Sequence, residues 1–104
     1  MVHSIASYNE FTSTLASNDI VIVDYTATWC PPCKVIAPHY EQLAADHPSI
    51  AFLKVDVDDN PDVAEEQSAN AMPTFVAYKS GKEVARVVGA NLPKLKQLVA
   101  GVAA

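Results

Sequence analysis

A chain of 104 residues, half of them apolar and only 18% charged, holds the material for one folded core over residues 1–104; a disordered or fibrous chain and a second core of ordinary size are excluded. Seven Lys and Arg against twelve Asp and Glu leave a formal charge of -5, with a single acidic cluster at Asp56, Asp58 and Asp59, so no nucleic-acid partner is expected, phosphate binding needing a basic face. No apolar run approaches the roughly 18 residues of a membrane span, and Met1-Val2-His3-Ser4 lacks the features of a secretion signal, so a soluble cytoplasmic protein without a membrane partner is expected.

In chain order, Val2 to Ile5 forms a short first strand. Ser7 and Glu10 have capping-box spacing ahead of Tyr8, Phe11 and Leu15, which predicts a helix over 8–17. The run Ile20-Val21-Ile22-Val23-Asp24-Tyr25 is nearly continuous and β-branched, the pattern of a strand covered on both faces in mid-sheet. Ile36, Tyr40, Leu43 and Ala44 mark a helix over 33–47, kinked at Pro38.

Ala51 to Val57 is a further strand, and Asn60-Pro61 supplies a cap and first-turn proline for a short helix ending near Ser68. Thr74–Tyr78 and Glu83–Val88 form a hairpin joined by Lys79-Ser80-Gly81-Lys82. Asn91 caps a last helix with Leu92, Leu95, Leu98, Val99 and Val102 in one stripe. The sum is an α/β fold: a mixed five-stranded sheet flanked by four helices.

The chemistry lies in Ala27-Thr28-Trp29-Cys30-Pro31-Pro32-Cys33-Lys34, where a central strand gives way to a helix. A thiol must lose its proton to become a nucleophile, and a helix N-terminus stabilises the anion with its dipole and unpaired amides. Cys30 is therefore the more acidic thiol, and Cys33, inside the first turn, suits the second attack that releases a reduced substrate. Three other readings compete. A structural disulfide would close a tiny loop and gain little entropy, a zinc half-site would need two more ligands, which His39 and His47 do not supply at the usual spacing, and inert buried cysteines would need no helix start.

Trp29-Cys30, Pro32-Cys33-Lys34, Val23-Asp24-Tyr25, Ala71-Met72-Pro73-Thr74-Phe75 and Val88-Gly89-Ala90 occur in the order of the thioredoxin family, which the chain resembles along nearly its whole length. Phe52-Leu53-Lys54-Val55-Asp56-Val57-Asp58 and the Met72-Pro73 pair resemble eukaryotic members. The resemblance implies the thioredoxin fold, a protein-disulfide reductase without a bound cofactor, and a monomer. It implies re-reduction by an NADPH-dependent thioredoxin reductase, with peroxiredoxins, methionine sulfoxide reductases and ribonucleotide reductase among the partners.

By the same resemblance Asp24 is the buried acid that takes a proton from Cys33, Lys54 its neighbour, and Pro73 a cis proline facing the cysteines and presenting Met72 to an extended substrate. Trp29, Pro31, Met72, Gly89 and Ala90 form the docking patch. From the residues alone, an acid interrupting an apolar strand reads first as buried with a raised pKa, a strand-end carboxylate in water being the lesser alternative, while Lys54 is equally a snorkelling side chain and Trp29 a packing residue.

One position departs from the family, Pro31 standing where glycine is usual. It removes an amide beside the thiolate, and Pro32 pushes it toward extended backbone, so a stiffer loop, poorer in donors, with altered redox poise is expected. A disulfide oxidant or isomerase, and a redox-independent binding module, are the rival functions.

Overall fold

The computed structural model describes residues 1–103. Its elements are β1 (Val2–Ser4), α1 (Tyr8–Ser17), β2 (Ile20–Thr26), α2 (Pro31–Asp46), β3 (Ala51–Asp56), α3 (Pro61–Glu66), β4 (Thr74–Lys79), β5 (Lys82–Val88) and α4 (Leu92–Ala103). The strands form one sheet in the order β1-β3-β2-β4-β5; β1, β3 and β2 run parallel, and β4 and β5 add antiparallel. β2 is central, which is why its apolar run is buried on both faces.

Alternation along β2 divides the core. Ile22 points to the side where Ile36, Tyr40, Leu43 and the stripe of α4 pack, while Val21, Val23 and Tyr25 meet Phe11 of α1 and Val63 of α3. Each such aliphatic or phenyl side chain contributes about 1.5–3 kcal/mol on leaving water. Buried hydroxyls find partners: Tyr25 and Tyr78 bond each other at 2.7 Å, and Tyr40 donates to Leu53 O at 2.7 Å with Ile22 O at 3.0 Å.

Several local expectations are corrected. Ser7 Oγ accepts from the Glu10 amide, but Glu10 reaches back to the Ala6 amide rather than to that of Ser7. Asn60 stands at the start of α3 with no side-chain cap bond; its Nδ2 instead donates to Ile5 O and Asp56 O, tying β1 to the end of β3. α3 stops at Glu66, before Ser68 takes a left-handed φ of 56°.

The hairpin turn is only Ser80-Gly81, both at positive φ (52° and 79°), so β5 starts at Lys82 rather than Glu83. α2 begins at Pro31 and runs through Pro38 without ending. Asn91 does cap α4, its Oδ1 accepting from the Lys94 amide at 3.0 Å.

Candidate active site

β2 ends at Thr26, and the chain turns over Ala27–Trp29 with the Cys30 amide donating to Ala27 O at 3.3 Å. A crevice beyond the carboxyl end of a central strand is where α/β sheets place their ligands. Cys30 is the N-cap of α2 in extended backbone (φ -102°, ψ 102°), and its Sγ accepts from the Cys33 amide at 3.2 Å. Cys30 and Cys33, their Cα atoms 5.3 Å apart, are joined in a disulfide. Both are 3% exposed, so exposure does not separate them. What separates them is the cap position and its amide donor.

Pro31 is not extended, as the sequence predicts, but is the first helical residue, with Pro32 second. The first amides of a helix lack intrahelical acceptors, so a proline there sacrifices no bond and brings a suitable φ. The loss of donors is nevertheless real. Neither proline carries an N–H, and the first amide after the cap is that of Cys33, the one that meets Cys30 Sγ.

Asp24 lies on β2 two residues beyond Ile22, on the α2 and α4 side, and is 1% exposed. Among the described residues its Oδ1 has no hydrogen-bond partner. Burial pushes its carboxyl from 3.8 up to about 7, the Lys54 charge pulling only partly the other way. Lys54 occupies the matching register position on β3, but the two form no ion pair. Lys54 and Cys33 line one cavity of about 480 Å³ together with Thr26 and Asp56.

On the other side of the disulfide, Met72 packs against Ala27, Cys30 and Cys33. The Met72-Pro73 bond is cis, and Pro73 O accepts from the Gly89 amide at 2.8 Å, where Gly89 uses a φ of 97° that suits only glycine. Trp29 is 66% exposed and Val88 58%, and Pro31 and Ala90 are exposed as well. Ala27 and Met72, from two separate stretches of the chain, thus pack on the sulfur pair.

The sequence pattern of the thioredoxin family matches residues 2–103. The chain belongs to the thioredoxin family. It is 50% identical over 101 residues to Thioredoxin-2 of Saccharomyces cerevisiae, covering 96% of this chain and 97% of the yeast protein. The solution structure of oxidised thioredoxin from Plasmodium falciparum superposes with a TM-score of 0.94 at 44% identity, over 100% of both chains. A chain from a structural study of the thiol resolving mechanism in yeast mitochondrial 1-Cys peroxiredoxin, via glutathione and thioredoxin systems, superposes at 0.92 with 36% identity, covering 96% of this chain and 94% of that one.

With a cysteine pair at disulfide distance on this fold, the thioredoxin is a thiol-disulfide oxidoreductase, a protein-disulfide reductase whose redox group is the Cys30–Cys33 disulfide. The zinc reading finds no support in the ligand set: among the described residues no three His, Cys, Asp or Glu stand together as a metal site. His3 pairs with Glu10 at 3.2 Å, His47 Nδ1 lies 3.0 Å from Leu43 O, and His39 is exposed.

Two neighbours of the site in this thioredoxin escape the sequence. Asp58 accepts from Trp29 Nε1 at 2.8 Å, and Val57 packs on the cysteine cluster. Asp58 shows in the sequence as part of an acidic cluster and of the run that resembles eukaryotic members, with no sign that a tryptophan 29 positions away is its partner.

Proposed function

We propose that this chain is a cytoplasmic thioredoxin of eukaryotic type, a single domain over 1–104 acting as a monomer and reducing protein disulfides with a Cys-Pro-Pro-Cys site. The observation that carries the reading is the Cys30 sulfur at the cap of α2, facing an amide donor, with the orphaned acid Asp24 beneath the same sheet end.

In the reduced protein the Cys30 thiolate attacks one sulfur of a substrate disulfide, forming a mixed disulfide and expelling the first substrate thiolate. Cys33 then passes its proton to Asp24 and attacks Cys30 Sγ, which breaks the mixed disulfide and frees the second thiolate. The substrate gains two electrons, and the protein is left as the Cys30–Cys33 disulfide. A carboxyl with a pKa about 7 is matched to taking that proton near neutrality. Trp29, Pro31, Met72, Pro73, Gly89 and Ala90 form the docking surface, with Met72 offering its backbone to an extended substrate segment. Pro32 shapes the helix start, and Lys54 tempers Asp24.

Electrons return from NADPH through thioredoxin reductase. Peroxiredoxins, methionine sulfoxide reductases and ribonucleotide reductase are the substrates we expect, the first of these in keeping with the peroxiredoxin study from which one structural relative comes. The test is reduction of insulin with reductase and NADPH, beside Cys30→Ser and Cys33→Ser variants. The wild type turns over, Cys30→Ser does not, and Cys33→Ser accumulates a mixed disulfide visible by mass spectrometry. Turnover by Cys30→Ser would refute the assignment. Equilibration with glutathione separates this reductant from the rival reading, an oxidant or isomerase.

A further inference from the structure

The segment between α3 and β4 carries Met72 and Pro73 to the sulfur pair, and both of its ends are tied to β5. At its far end the Gly89 amide, just beyond β5, donates to Pro73 O, and Thr74 Oγ1 donates to Ala71 O. At its near end one side chain makes the tie. Arg86 donates from Nη2 to Gln67 O at 2.7 Å and from Nη1 to Ser68 O at 3.2 Å, meeting the last carbonyls of the α3 turn.

The guanidinium is itself held by Glu83, with Nε to Oε2 and Nη2 to Oε1 both at 2.9 Å. Gln67 is pinned a second time, its Oε1 accepting from the Tyr78 hydroxyl at 2.7 Å, which bonds Tyr25 in the core. A planar fork of five donors can serve two carbonyls and a carboxylate at once, whereas an ammonium is a single flexible point. The exit of α3 needs such an anchor because Ser68 stands at a left-handed φ of 56°, which a side chain adopts only when its surroundings hold it.

We propose that Arg86 is a positioning residue for protein substrates: it fixes the start of the 68–73 segment and so sets where Met72 stands against the Cys30–Cys33 pair. The inference rests on the reading that this segment docks the substrate. Misplacing a docking element by about an ångström can cost up to a hundredfold. A small disulfide that needs only the sulfur is indifferent to the segment.

Single-turnover oxidation of the reduced protein, followed by the fluorescence of Trp29, measures both the limiting rate and the half-saturating concentration. Insulin and cystine serve as the two oxidants, and thermal denaturation confirms that each variant folds. Arg86→Gln raises the half-saturating insulin concentration about three- to tenfold, Arg86→Lys gives a smaller rise, and cystine kinetics stay at the wild-type value for both. A lower melting temperature with unchanged insulin half-saturation shows a purely structural arginine and overturns the proposal, as does an equal loss with both oxidants. Should Arg86→Gln fail to fold, Arg86→Lys decides on the same criteria. Met72→Glu separates the two layers. If it raises insulin half-saturation while the Arg86 variants do not, the positioning role alone falls. If it changes nothing, the docking reading falls, and this inference with it.

Discussion

Asp24 and Lys54 occupy matching register positions on adjacent parallel strands, yet the carboxylate is sealed from water with one oxygen unpartnered and no ion pair reaches it. The acid therefore costs stability whenever it is charged. Unfolded, it releases its proton near 3.8; folded, it holds the proton up to about 7. Between those values the unfolded state binds fewer protons, so stability falls as pH rises through the window and levels off above it.

At about 1.4 kcal/mol per unit, the full loss is on the order of 4 kcal/mol. Asp24→Asn removes the charge and leaves an amide short of partners, so we expect a gain of roughly 2–4 kcal/mol at pH 8 and none at pH 3. Denaturant unfolding at the two pH values checks it; an equal change at both would show that the carboxyl is not the source. The same variant slows insulin reduction at pH 7 about ten- to a hundredfold if Asp24 accepts the Cys33 proton.

Lys54 opposes the shift of Asp24 from a distance, and Tyr40 of α2 is a further titratable group that senses that acid. Lys54→Met keeps the apolar stem and deletes the cation, so Asp24 titrates at a still higher pH. The carboxyl carbon resonance of Asp24, followed through a pH titration, reads this directly. A midpoint that stays put or moves down would show that the lysine does not act on the acid.

Tyr40 is completely buried beneath α2, and its hydroxyl spans the carbonyls of Ile22 and Leu53 on the two central parallel strands. Tyr40→Phe keeps the ring and its edge contact with Phe52, so no cavity opens and only the hydrogen bond is lost. The expected cost is about 1 kcal/mol, or roughly 4–8 °C in Tm. Calorimetry checks it; no change would mean that those carbonyls are fully satisfied by the ladder.

How far the sequence could be read follows the range of the interactions involved. β2, the α4 stripe and the cysteine-bearing helix start were legible because their signals are periodic and local. The Asp24 burial was legible because an acid interrupts an apolar central strand. Asn60 and Arg86 were not. Their partners, Ile5 and the Gln67 and Ser68 carbonyls, lie far away in sequence and are backbone atoms, which leave no mark on residue identity. The Ser80-Gly81 turn is not legible because serine at positive φ is uncommon, so the pattern indicates a longer loop.

The loss of donors at Pro31 is legible in the sequence and its helical backbone is not, and its place at the first turn of α2 decides the direction of its effect. Pro31→Gly adds a peptide N–H and its dipole at the helix start, which stabilises the Cys30 thiolate and so the reduced state. It also restores backbone freedom, and the open dithiol gains more from that freedom than the closed disulfide does. Both effects favour the reduced form. We expect a reduction potential less negative by roughly 20 mV, equivalent to about 1 kcal/mol, and a Cys30 thiol that ionises at lower pH. Equilibration with glutathione and a thiolate absorbance titration measure the two quantities. A more negative potential would mean that the proline stabilises the dithiol rather than the disulfide, and would assign Pro31 the role of an oxidant's residue instead of a reductant's.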